Sequence, residues 1–459
     1  MRCALACFAL LLPLAAWAED LVQVYRDAKG YDAQYAAARH TLTAGLEKLP
    51  QGRALLLPNL GLTANRTDSD LRQDLRSDPP QRVDRDFYAY GYTFTLTQPV
   101  FRMQNWLSYD QSQFQVAQAE ATFRQSEQDL IVRATRAYFD VLLADITLQQ
   151  VRANKTAISE QLAQAKRNFE VGTATITDTH EAQARYDLSV AQEIGADNEL
   201  QNRRRALQQI TGKEYPKLKT VSPATKLSDP NPPNMENWVQ LAEKQGYPVL
   251  IQGATTEIAQ LEAKRQRAGH YPTLDLVGTF GETTSTGVSS VSSLPGDTRS
   301  STLSLQLALP IYQGGSISSR EREAAANYER AKQDLENARR TAALQARVSY
   351  LSVISGTAQV RALQQALVSS RSALDSNKLG YEVGVRINID VLNAQQQVFT
   401  TQRDLAQAVY NTIIGHLQLK ATAGSLREED LEEVNRMLVD PVASAAESIG
   451  RAPNRQSVK

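Results

Sequence analysis

Two stretches of this chain, 212 positions apart, spell nearly the same sequence. One runs Phe169-Glu170-Val171-Gly172-Thr173-Ala174-Thr175-Ile176-Thr177-Asp178. The other runs Tyr381-Glu382-Val383-Gly384-Val385-Arg386-Ile387-Asn388-Ile389-Asp390. In each, an aromatic closes a helical pattern, Glu-Val-Gly follows, and an Asp opens the next helix. Gln98-Pro99-Val100-Phe101 returns as Leu309-Pro310-Ile311-Tyr312, and Leu57-Pro58-Asn59-Leu60 as Tyr271-Pro272-Thr273-Leu274. Offsets of 211 to 214 positions are far longer than a solenoid unit. The chain is a tandem duplication, one architecture built twice, and each half supplies the same parts.

From Arg102 to Phe169 there is no proline or glycine. From Ser316 to Tyr381 there is no proline, and Gly356 is the one glycine before Gly380. Such runs, rich in Ala, Gln, Glu and Arg, predict helices of roughly 65 residues, about 100 Å long. Apolar or small residues recur every 3.5 positions, from Leu130 through Ala134, Val141 and Leu148 to Phe169, interrupted at Lys155. The copy runs from Ala342 through Ala346 and Val353 to Tyr381. That spacing predicts coiled-coil packing. The seam is thin and the remaining faces are polar, which suits a wall with water on both sides. A plain coiled-coil stalk has the same pattern.

Each long run follows two strand-like segments, about 57–67 and 87–98, then about 273–281 and 302–309. Tyr88, Tyr90, Tyr92, Phe94 and Leu96 alternate with small residues, as do Leu303, Leu305 and Leu307. The connections 68–86 and 282–301 are polar and read as links. Segments of about ten residues, apolar on one face and small-polar on the other, fit a membrane β-barrel whose aromatics mark the interface. A soluble antiparallel sheet is the alternative. Four strands are too few, because the smallest membrane barrels need about eight and open edges cannot face lipid. The chain is therefore expected to oligomerise if the strands are in a membrane.

The first 18 residues read as a secretory leader: Arg2, an apolar run, and Ala16-Trp17-Ala18 before Glu19. Both cysteines, Cys3 and Cys7, lie within it, so disulfides and thiolate chemistry are not expected beyond it. Formal net charge is zero, which offers no footprint for nucleic acid. His40, His180, His270 and His416 are scattered, without metal-ligand spacing. No phosphate loop or nucleophile elbow appears. The reading is a non-enzyme without cofactors. The expected organisation is a leader 1–18, a first repeat 19–211, a proline-rich surface linker 212–237, a second repeat 238–424, and an acidic segment with a disordered tail 425–459. The repeats' helices fall at about 102–169, 177–211, 316–381 and 389–422.

Leu56-Leu57-Pro58-Asn59-Leu60, Ala137-Tyr138-Phe139, Ile210-Thr211-Gly212, Leu309 through Gly315, and Tyr381 through Leu392 carry a resemblance to the TolC family of Gram-negative outer-membrane channel-tunnels. It covers essentially all of the chain after the leader. It implies an α+β membrane protein: a homotrimer with a twelve-stranded outer-membrane β-barrel, four strands per chain, continued by a long α-helical periplasmic barrel. The strand residues Tyr88, Tyr90, Tyr92, Phe94, Leu303, Leu305 and Leu307 would then face lipid. The implied function is a passive exit duct for type I secretion or multidrug efflux. The implied partners are a periplasmic adaptor and an inner-membrane ABC or proton-driven pump. The resemblance also implies a gate at the far end of the long helices, where Tyr381 and Arg386 link to Asp178 and Thr177. Asp390 would form a pore-constriction ring; Asn393 stands where a second acid is usual. Gly172 and Gly384 would make the helix turns. Asp178 and Asp390 also read as helix caps, and Tyr381 as a last heptad contact. A coiled-coil surface trimer and a soluble periplasmic adaptor are the rival functions.

Overall fold

The computed structural model describes residues 18–76, 78–173, 175–222, 227–287 and 295–440. The expected leader, apart from Ala18, and the tail beyond 440 lie outside the described residues. In chain order the first elements are α1 (Leu21–Tyr31), α2 (Ala33–Leu46), α3 (Lys48–Ala54), β1 (Asn59–Leu75), β2 (Gln81–Phe101), α4 (Met103–Glu170) and α5 (Ile176–Thr211). There follow β3 (Thr220–Val221), α6 (Met235–Gln245), α7 (Tyr247–Arg267), β4 (Thr273–Ser285), β5 (Gly296–Ala308) and α8 (Ser316–Glu382). Last come α9 (Asn388–Thr422), α10 (Glu428–Asn435) and β6 (Leu438–Val439). None of the described helices is long and apolar enough to cross a membrane.

The compact units cut across the repeats. One contains residues 40–122 and 250–338, the other 1–39, 123–249 and 339–459. Backbone pairing explains the first. Its four strands form one antiparallel sheet in the order β1-β2-β4-β5, so the central ladder joins one repeat to the other. The strands are longer than their apolar alternation indicated: the polar stretches expected to be links are mostly strand, with Asp70 opposite Asp86 and Glu282 opposite Arg299. The ladder is built by backbone groups, which are indifferent to side-chain polarity. Charged neighbours two residues apart, Arg66 with Asp68 and Arg72 with Asp70, pair along the strand.

In the other unit the expected seams are buried along most of α4 and, on α8, as far as Val360, beyond which Leu363, Leu374 and Tyr381 are half-buried. Leu130, Ala134, Val141, Leu148, Leu162 and Ala165 line α4, and Ala342, Ala346, Val353 and Val360 line α8. Phe169 departs from this, being exposed at the helix end. Lys155, the break in the seam, donates to Glu193 of α5 at 2.8 Å, so its charge is matched within the hairpin. The stretch 212–237 is more than a surface linker: Tyr215, Leu218 and Val221 are buried, and β3 pairs with β6. The buried Tyr138 hydroxyl donates to Lys219 O at 2.6 Å, which anchors this segment to α4. Within the described residues the acidic segment after 424 forms α10 and β6. Leu431 and Val434 bury one face of α10, and Glu428 in its first turn pairs with Lys29.

Candidate gate and membrane face

The Glu-Val-Gly motifs make the two turns between long helices. Gly172 and Gly384 both adopt φ +78°, a left-handed conformation natural to glycine at a helix C-terminus. Thr173 N–H donates to Asn168 O at 2.8 Å and Val385 N–H to Gly380 O at 2.9 Å, so each turn recovers a helix-end carbonyl. Beyond the turns the repeats diverge. α5 opens with a capping box: Thr175 accepts from the Asp178 N–H at 3.3 Å, and the Asp178 carboxylate accepts from Thr175 N–H and hydroxyl, each at 2.9 Å. Those donors hold the Asp178 carboxyl below the usual carboxylate range. In the copy the cap position is Ile387, which has no side-chain oxygen. Among the described residues Asp390 makes no cap bond, and its carboxylate lies 3.5 Å from Arg386 one turn away.

Among the described residues, no hydrogen bond joins Tyr381 or Arg386 to Asp178 or Thr177. Asp178 is committed to its own helix start, and Thr177 is exposed beside it. The Tyr381 hydroxyl instead accepts from the Gln164 side chain of α4 at 2.9 Å, an inter-helix link across 217 positions. Gln164 was missed in the sequence because it reads as one more polar residue. Its place between the buried Leu162 and Ala165, next to the seam, is the signal that could have found it. The structure does bring Arg386, Asp390 and Asn393 together. With Ser369, Ser370 and Asn377 they line an open groove of about 530 Å³ between α8 and α9.

In the sheet, paired residues share a face. From the helix-joined end outward, one face presents Leu276 and Leu305, then Leu60, Leu96 and Leu303, then Leu62, Phe94 and Phe280. Next come Ala64, Tyr92, Glu282 and Arg299, and then Arg66, Tyr90, Thr284 and Asp297. Asp68 and Tyr88 follow. The apolar rows thus end where the tyrosines meet charges. Tyr92 donates to Glu282 at 3.4 Å, and the Arg66 guanidinium lies 5.4 Å from the centre of the Tyr88 ring. Tyr88, Tyr90, Tyr92, Phe94, Leu303, Leu305 and Leu307 all project from this face and are exposed.

An apolar sheet face closing in an aromatic girdle, in one chain with two helices of about 100 Å, defines a membrane β-protein with a long helical extension. The family model described as outer membrane efflux protein matches residues 24–213 and 251–425. The outer membrane protein TolC of Vibrio cholerae is 32% identical over 92% of this chain and 95% of its own length. The alkaline protease secretion protein AprF of Pseudomonas aeruginosa is 31% identical, with 93% and 89% covered. Among solved structures, the CmeC outer membrane channel of Campylobacter jejuni superposes with a TM-score of 0.77 at 16% identity, covering 92% of this chain and 90% of that one. The chain belongs to the outer membrane efflux protein family, and its place is the outer membrane of a Gram-negative cell.

Proposed function

We propose that three copies of this chain close a twelve-stranded barrel and act as a passive exit duct, with lipid against the apolar sheet face. One observation carries this reading: the sheet has a continuous apolar face yet leaves β1 and β5 as open edges. Open edges cannot be stable in lipid, so the strands need partners from other copies. Substrate is handed on by an inner-membrane ABC or proton-driven pump through a periplasmic adaptor. The gate is the turn region, where Gln164 holds Tyr381 and the groove of Arg386, Asp390 and Asn393 supplies the charged constriction. Two similar proteins are named for protein export, AprF and the proteases secretion protein PrtF of Dickeya chrysanthemi. They favour a polypeptide cargo, while the family description, outer membrane efflux protein, fits small toxic molecules as well. Deleting the gene and assaying both protease secretion and drug accumulation tests the cargo. Planar-bilayer conductance of the purified protein tests the duct, and an oligomer without conductance would defeat it.

A further inference from the structure

The duplication allows a missing strand pairing to be derived from one that is present. A shift of 214 positions carries Pro58 onto Pro272, and a shift of 211 carries Pro99 onto Pro310. Together these shifts carry the register of β1 on β2 onto that of β4 on β5 without a slip. Asn59 opposite Thr97 becomes Thr273 opposite Ala308, and Thr67 opposite Ala89 becomes Gly281 opposite Ser300, both as observed. The remaining junction, β2 with β4, has no image within the chain. Its image would need a β1 beyond β5, and β5 is a free edge. The segment Pro99–Phe101 reaches β4 in the first repeat, but its copy lies bare: Ile311 is 93% and Tyr312 85% exposed.

We propose that β5 pairs antiparallel with β1 of a neighbouring copy in the register that the same shifts generate. This rests on the homotrimeric barrel proposed above and assigns its contact. Thr97 opposite Val277 becomes Ala308 opposite Thr63 of the neighbouring copy. Leu96 opposite Gly278 becomes Leu307 opposite Ala64, and Phe94 opposite Phe280 becomes Leu305 opposite Arg66. Pro310 and Tyr312 then continue along Gly61 and Leu60, which covers the bare segment.

Two features support this register. First, Leu303, Leu305 and Leu307 share a face with Leu60 and Leu62, so both apolar sets project to the same side of the junction. A slip of one residue would turn one set inward, which leaves slips of two as the competitors. Second, the apolar rows drift toward the helix-joined end between β4 and β5. The row of Leu62, Phe94 and Phe280 ends on Ser301, two residues short of Leu303. The proposed register continues that drift, setting Leu309 beside Leu62. It also separates the two kinds of junction chemically. Inside the chain Arg102 clamps Asp275; the shifted positions between copies are Gln313 and Gly61, which cannot form an ion pair.

The test is a cysteine pair, Leu307→Cys with Ala64→Cys, in the full chain expressed in outer membranes. The chain's two cysteines fall in the expected leader, so no competing thiol is present. Directly opposed residues have Cα atoms about 4.5–5.5 Å apart and can be bridged, whereas diagonal ones at about 7–8 Å cannot. Within one copy the two positions lie on opposite edges of the sheet, out of reach. Oxidation is expected to move most of the chain from the monomer band to a covalent ladder on denaturing, non-reducing gels. Leu307→Cys with Leu62→Cys or with Arg66→Cys should stay monomeric, and each single-cysteine variant checks folding. Cross-linking at a slipped pair, or at none of the three, in a particle that light scattering in mild detergent finds multimeric overturns the register and leaves the barrel standing. A monomer by light scattering overturns the barrel and the register with it.

Discussion

Arg102, at the end of β2, donates from Nε to Asp275 on β4 at 2.8 Å, with a second bond from the same guanidinium, and so clamps the first repeat to the second. Asp275 is 8% exposed, and Arg102 is the cation bonded to it. Removing the arginine leaves an acid with little water to solvate it. Arg102→Leu is therefore expected to destabilise the sheet unit by about 2–4 kcal/mol, less than a fully buried pair because Arg102 is itself partly exposed. Asp275→Asn should cost less. Thermal denaturation in detergent checks this; equal midpoints for Arg102→Leu and the parent would show that the clamp is idle.

The Gln164–Tyr381 link is expected to bias the gate toward closure. One such hydrogen bond contributes about 0.5–1.5 kcal/mol, and three copies about 1.5–4.5. A full switch from 1:99 to 99:1 needs about 5.5 kcal/mol, so the link is strong enough to matter and weak enough to release. Gln164→Ala and Tyr381→Phe should each raise mean conductance in planar bilayers. Because they remove one bond, the double variant should exceed the larger single effect only slightly. Full additivity would separate the two residues.

Asp390 pairs with Arg386 rather than capping its helix, so the constriction is expected to sense Arg386. Asp390→Asn should abolish most divalent block of the current. Arg386→Ser should strengthen it by leaving the acid unpaired, and Asn393→Asp should strengthen it further by adding a charge. Titration of bilayer current with divalent cations reads all three. Block that ignores Asp390→Asn would place this carboxylate away from the pore.

Asp32, buried at the start of α2, ties its helix to α4. Burial pushes its carboxyl up, but two bonds from Arg133, both 3.0 Å, and one from Tyr35 N–H at 2.7 Å outweigh this and hold it below the usual range. A lowered folded pKa gives stability that is fully present above the unfolded value, near 3.9, and lost as pH falls through the folded one. The parent should therefore be more stable than Asp32→Asn at neutral pH, and the gap should shrink only as the pH drops below about 4. Circular dichroism during denaturation at several pH values checks this. A gap that widens on acidification would reverse the sign and exclude the mechanism.

The long helices were legible because their seams repeat without proline, and Leu130, Val141, Ala346 and Val353 are buried as the spacing indicates. The strand ends were not, because Arg72, Asp74 and Asp84 carry no apolar alternation while their backbones still pair. At the turns, Gly172 and Gly384 were legible from the repeated motif, since the left-handed φ belongs to one residue type. The partner of Tyr381 was not. Four polar groups at plausible positions say nothing of which two meet, and Asp178 was already bonded to Thr175.

By itself the sequence determined the duplication, the period of each element and the face each strand presents, because these depend on local spacing and side-chain chemistry. Only the tertiary structure decided that β2 joins β4 across the repeats, that Asp178 caps while its counterpart Asp390 pairs with Arg386, and that Gln164 holds Tyr381. Such choices turn on which backbone edge and which side chain arrive within about 3 Å of one another. That distance is set by the packing of segments some two hundred residues apart, and no local pattern encodes it.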